Sequence, residues 1–238
     1  MTGRLLGLVA VLFVAQGPAS FEGTIKMRNI TVSLDEPGMK ASWLDVAPAT
    51  LAAREDAKVE QTTMRIRNNV IRLEPRADAT DSSYGLMDLG RGVMTMIVPG
   101  ERMYLEFPMP MAGGNQPAAR PGAPAAKAIG QRTINGMQTT GYEVRTNEQI
   151  VRAWMTTDHP GLTWTFTRAA TRSEDEVEDP EADAVNAALA GHGFPVLMIT
   201  LTEGSLEVAE LVQVQRAPLP AAMFAVPAGF TKRAIPGR

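Results

Sequence analysis

Apolar side chains return at every second position through most of this chain, the period of a half-buried β-strand. The organising stretch is residues 129–155, IGQRTINGMQTTGYEVRTNEQIVRAWM. Asn135-Gly136 is a strong hairpin signal, because a type I′ turn needs φ > 0 at both central residues. A two-residue loop there pairs Ile134 with Met137, Arg132 with Thr139, Gln131 with Thr140 and Ile129 with Tyr142. A third strand follows over residues 149–156, so three antiparallel strands are predicted locally.

Similar units lie on both sides. Residues 21–27 alternate with Phe21, Gly23, Ile25 and Met27 on one face. Ile30, Val32 and Leu34 alternate on the opposite parity. A bulge near Arg28-Asn29 would reconcile the two. Residues 48–57 read as a short helix with Pro48 in its first turn. Residues 64–73 form a hairpin around Asn68-Asn69, with Ile66 facing Ile71, Met64 facing Leu73, and Arg65 paired with Arg72 on the reverse side beside Arg67. A one-residue slip would turn every arginine into the core, so the register is well determined. The arginine face is read as solvated, with Glu22, Glu60 and Glu74 nearby. The alternative is an anion contact with Lys26 and Arg28.

Residues 93–107 form another hairpin, around Pro99-Gly100. Met94, Met96, Val98, Met103, Leu105 and Phe107 are apolar, but so are Val93, Ile97 and Tyr104, so both faces are expected to be covered. Residues 108–127 hold five prolines among Ala, Gly and Met and read as a loop within the domain. Residues 162–172 are read as helix and residues 173–179 as an acidic loop. Asp179-Pro180-Glu181 starts a helix over 180–190 that Gly191 closes. A last hairpin pairs Leu201 with Leu206 and Ile199 with Val208, and residues 219–230 form an irregular apolar tail. The count is about eight to eleven antiparallel strands with two or three helices.

The N-terminus changes the domain picture. Arg4, an eleven-residue apolar run over 5–15 and the small-residue end Gly17-Pro18-Ala19 read as a secretory signal peptide cleaved after Ala19. That leaves a single domain over 20–238. A spanning helix would need roughly 20 apolar residues. The 238-residue chain has no cysteine, which excludes disulfides and a lipid-anchored cysteine. Without Arg4 there are 22 basic and 26 acidic side chains, a net charge of −4, which does not suit a nucleic-acid binder.

Candidate chemistry is sparse. His159 and His192 have no histidine partner at i+2 or i+4, so no metal site is expected from them. The five acids of residues 173–179 lack the ligand spacing and central glycine of a calcium loop. No G-x-S-x-G elbow and no phosphate loop occur. Neither a catalytic set nor a cofactor is therefore expected. The chain has 14 methionines, six of them between Met87 and Met111. Thioethers can hold Cu(I), and Pro108-Met109-Pro110-Met111 invites that reading. Strand methionines at period two more simply line an adaptable apolar surface.

Several stretches resemble a family of exported bacterial proteins of unknown function related to the lipoprotein-carrier, LolA-like half-barrels. They are residues 21–25 (FEGTI), Ile134-Asn135-Gly136 with Gly141-Tyr142, residues 152–155 (RAWM) and the ending FAVPAGF at 224–230. The resemblance implies a mainly β, α+β fold: a strongly curved antiparallel sheet or half-barrel with helices across its concave side. It carries over no catalytic residue. It implies an apolar ligand such as a lipid, an acyl chain or a lipidated polypeptide, with transient contact to a membrane or envelope protein, and a monomer. The lining is expected from Met64, Ile66, Ile71, Leu73, Met94, Met96, Met103, Leu105, Phe107, Trp154, Trp164 and Phe166. If Trp154, Trp164 and Phe166 fill the concavity themselves, the protein is a scaffold instead. An uncharacterised hydrolase is the remaining alternative.

Overall fold

The structure is a computed structural model and describes residues 21–34, 39–74, 82–108, 124–159, 162 and 180–234. In chain order the elements are β1 (Gly23–Ser33), α1 (Pro48–Ala52), β2 (Lys58–Arg67), β3 (Val70–Leu73), β4 (Tyr84–Asp88), β5 (Val93–Val98), β6 (Met103–Pro108), β7 (Lys127–Ile134), β8 (Met137–Arg145), β9 (Gln149–Thr156), α2 (Pro180–Leu189), β10 (Phe194–Thr202), β11 (Ser205–Arg216) and β12 (Thr231–Lys232). The fold is mainly β, as expected: one open, curved sheet in the order β12-β6-β5-β4-β3-β2-β1-β11-β10-β9-β8-β7. The twelve described strands exceed the expected eight to eleven. The extras are β4, a five-residue run without alternation, and β12, two residues of the tail that pair parallel with β6.

β1 is the seam between two antiparallel meanders. It pairs with β2 on one side and β11 on the other, joining β2–β6 to β7–β11. The turns follow their residues. Asn135 and Gly136 both have positive φ (51° and 79°), as a type I′ turn requires, and Asn68 sits at 54° in the other short loop. The arginine hairpin has the expected register, Met64↔Leu73, Arg65↔Arg72 and Ile66↔Ile71. The last hairpin also does, with Ile199↔Val208 and Leu201↔Leu206.

Two local expectations are corrected. The bulge in β1 is not at Arg28-Asn29: its ladder with β2 runs unbroken from Gly23↔Ile66 to Thr31↔Lys58. The irregularity lies against β11, where Lys26↔Gln213 is followed by Met27↔Leu211 and Val212 is left over, half exposed. Both parities of β1 are buried because both faces of the seam are covered. In the central hairpin, Tyr142 faces Ala128 and not Ile129, because the ladder slips between Ala128 and Gly130, where Gly130 adopts φ 126°.

Register defines two faces. On the first, Phe21, Ile25, Met27, Met64, Ile66, Ile71, Met87, Phe194, Val196, Leu211 and Leu162 form one core. Further along it, α2 packs Val185 and Leu189 on Val144, Val151, Ala153, Met155 and Met198. On the second face, Ile30, Val32, Ile150, Ile199, Leu201, Leu206 and Val208 pack under Leu44, in a single turn over Ala41–Asp45, and Leu51 of α1. Adjacent residues Ile150 and Val151 belong to different clusters, so the two α-helices cover opposite faces of β9 and β10. The expected helix over 48–57 stops at Ala52. The signal segment, residues 163–179 and most of the proline-rich loop lie outside the described residues.

Candidate apolar ligand site

Nine of the twelve expected lining residues come together on the first face of β2–β6. One cross-strand row runs Ile66, Ile71, Met87, Met94, Phe107, and the next runs Met64, Leu73, Gly85, Met96, Leu105. Met103 opposes Val98 at the end of the β5–β6 hairpin. This follows from period two: pairing Met94 with Phe107 commits every second residue of both strands to the same side. The β2–β4 end of the surface is core, with Met64, Ile66, Ile71 and Met87 only 1–3% exposed. The β5–β6 end is open to a degree, and Met94, Met96, Val98, Met103, Leu105 and Phe107 are all half-buried. Such a contiguous apolar surface, continuous with a core, is a feature that needs an explanation.

Gly85 shapes this surface. It sits in the second row between Leu73 and Met96, and a Cβ there would lie 3.4 Å from Met94 Cε and 3.8 Å from Leu73 Cβ. These are ordinary van der Waals distances, so the flexible thioether of Met94 borders the space above Gly85. Met87, Val98 and Gly85 belong to the surface although the expected lining omitted them. The apolar run Tyr84–Asp88 was the available signal, since a short unalternating run is consistent with a strand buried on both faces.

The reverse of the same strands is covered by the C-terminal tail. Tyr84, Leu86 and Ile97 pack with Tyr104, Val226 and Phe230. Arg72 lies 3.8 Å over the Tyr84 ring and donates to the Met223 carbonyl at 3.1 Å. The arginines of β2 and β3 are ion-paired: Arg65 and Arg72 with Glu74, and Arg67 with Glu22. Glu60 pairs with Lys58 instead. The arginine face is thus partly solvated and partly an anchor for the tail.

Trp154 does not join the nine. Its partners Leu197 and Gly141 place it on the second face. There it packs against the core under α1, with the Arg132 guanidinium 3.8 Å from its ring. Trp164 and Phe166 lie outside the described residues. Near Trp154, Arg152 bridges Glu143 and Asp45, and Arg145 also holds Glu143. Burial pushes the Glu143 carboxyl up, but hydrogen bonds from Arg152 and Arg145 outweigh it, and the group is held below the usual carboxylate range. Burial likewise opposes the charge on Arg152, while Glu143 and Asp45 raise its pKa overall.

The histidines stay apart. Burial lowers His159, with Arg216 adding to the effect. The ring of His192 lies on Tyr142 at a centroid distance of 4.1 Å. Among the described residues no group of three or more His, Cys, Asp or Glu side chains is placed to hold a metal ion. No described helix is long and apolar enough to cross a membrane.

Residues 50–230 match a family described as a domain of unknown function, DUF4412. No curated protein matches the chain. Similar solved structures include a LolA superfamily protein, NE2245, from Nitrosomonas europaea, at 11% identity over 89% of this chain and 92% of that one, with a TM-score of 0.36. A putative outer membrane lipoprotein-sorting protein domain from Vibrio parahaemolyticus aligns at 7% identity over 87% of this chain and 90% of that one, with a TM-score of 0.30. The MucA/MucB complex of Pseudomonas aeruginosa aligns at 11% identity over 85% of this chain and 56% of that one, with a TM-score of 0.39. The family match spans well over half of the sequence, and the chain belongs to the DUF4412 family.

Proposed function

We propose that this is an exported, monomeric envelope protein that holds an acyl chain, of a lipid or a lipidated polypeptide, against the first face of β5 and β6. The observation that carries the reading is the half-buried apolar surface of Met94, Met96, Val98, Met103, Leu105 and Phe107, continuous with the buried Met64, Ile66, Ile71 and Met87. An acyl chain gains roughly 25 cal/mol for each Å² of apolar surface removed from water. Three thioethers let the surface adapt to chains of different length. The role is non-enzymatic, and Leu5 to Ala15 would direct export before removal.

A second reading is a scaffold whose own side chains fill the space. The contact of Met94 Cε with the position above Gly85 favours it locally. The two readings separate at Met96. In a ligand-lined surface, Met96→Trp displaces a fluorescent fatty acid at little cost to the stability of stripped protein. In a close-packed core the same change overpacks the site and costs about 1–3 kcal/mol. A large fall in melting temperature, together with no fatty-acid uptake by the unmodified protein, would sink the carrier reading.

A further inference from the structure

We propose that Met94, Met96 and Met103 form an oxidant-sensitive modification site whose sulfoxidation switches this face from apolar to polar and releases its acyl chain. The functional consequence rests on the reading above, whereas the site selectivity rests on geometry alone. Met94 and Met96 stand two residues apart on β5, on one face. Met103 lies on β6, diagonal to Met96 through the Met96↔Leu105 and Val98↔Met103 pairs. All three are half-buried, while Met27, Met64, Met87, Met155 and Met198 are buried in the same sheet. The other described half-buried methionines, Met39, Met137 and Met223, lie outside β5 and β6.

The chain has no cysteine, so oxidant chemistry at sulfur falls on methionine. With hydrogen peroxide as oxidant, a thioether lone pair takes one oxygen, the O–O bond breaks and water leaves. Sulfur is oxidised by two electrons and the peroxide is reduced. The product is a polar, chiral sulfoxide that a reductase with a thiol donor returns to thioether. The described neighbours Val98, Leu105 and Phe107 offer the new oxygen no side-chain donor, and burying it beneath an acyl chain is unfavourable.

The test treats the purified full chain with limiting hydrogen peroxide, maps sulfoxides by peptide mass spectrometry, and measures fluorescent fatty-acid binding before and after. Sulfoxide is expected at Met94, Met96 and Met103 ahead of the five buried methionines. Fatty-acid affinity is expected to fall about tenfold or more, the penalty of an unpaired polar group against an apolar chain. Methionine sulfoxide reductases A and B should restore it. Whatever its starting affinity, the Met94→Leu, Met96→Leu, Met103→Leu variant should show the same affinity after peroxide as before it, and single Met96→Leu should blunt the loss. Equal oxidation of buried and half-buried methionines would overturn the site, and unchanged binding by the oxidised protein would overturn the switch. Absence of binding before oxidation is the separate failure of the carrier reading, in which case the sulfoxide map alone decides the site.

Discussion

Gly141→Ala should destabilise the protein, although alanine normally suits a strand better than glycine. Gly141 lies on β8 opposite Trp154 of β9 and Gly130 of β7. A Cβ at residue 141 would stand 2.6 Å from Trp154 Cζ3, 2.8 Å from Trp154 Cε3 and 2.8 Å from Ile129 Cγ1. The indole has little room to retreat, with the Arg132 guanidinium 3.8 Å from its ring and the core under α1 beneath it. Overpacking of this kind costs about 1–3 kcal/mol, against a gain of about 0.4–1 kcal/mol from a less flexible unfolded chain. The net expectation is a loss of about 1–2 kcal/mol. Urea unfolding should show a lower midpoint with an unchanged m-value, and melting should fall by about 2–4 °C per kcal/mol. Two of the three close atoms belong to the indole, so Trp154→Leu should relieve much of the cost of Gly141→Ala and leave the Ile129 contact, and a double-mutant cycle should read the coupling directly. A neutral or stabilised Gly141→Ala protein, or additive effects in the cycle, would refute the argument.

Three further outcomes follow from other parts of the molecule. Glu143 is held below the usual carboxylate range when folded, so its contribution is present above its unfolded pKa and lost as the pH falls through the folded value. Acid titration of stability below about pH 4.5 should therefore bring the unmodified protein and Glu143→Gln together. Arg72→Met removes the contact with Tyr84 and the bond to the Met223 carbonyl, so limited proteolysis should cut the tail after Pro220 faster, with a loss of about 1–3 kcal/mol. Edman sequencing of the exported protein should begin at Ser20, and retention of residues 5–15 would contradict the export proposal.

Local chemistry made much of the fold legible. Asn135-Gly136 and Asn68 announced turns that the backbone adopts, and strict alternation placed Met64, Ile66, Ile71 and Leu73 on one side before any long-range contact was known. What escaped was set at a distance. Trp154 belongs to a strand whose face relative to Met94 depends on the pairing of β1 with both meanders, and nothing within reach of Trp154 encodes that pairing. Tyr142 was misplaced by one residue because Gly130, which relaxes the ladder, gives no signal distinct from an ordinary strand glycine. β12 is a two-residue parallel pairing whose hydrogen bonds, Thr231 to the Arg102 carbonyl and Arg233 to the Tyr104 carbonyl, are fixed by where the tail docks. The shared face of nine expected lining residues was legible for the opposite reason. Its residues sit on neighbouring hairpins, and each hairpin carries its own register.

The most direct measurement is native mass spectrometry of the protein purified without detergent from the envelope of its own cells, followed by lipid analysis of what it releases. The account predicts a bound mass of one acyl-chain ligand, displaced by a competing fatty acid and absent from Met96→Trp. A protein that carries no ligand, gains none on exposure to fatty acid and melts at the same temperature with or without it would contradict the account.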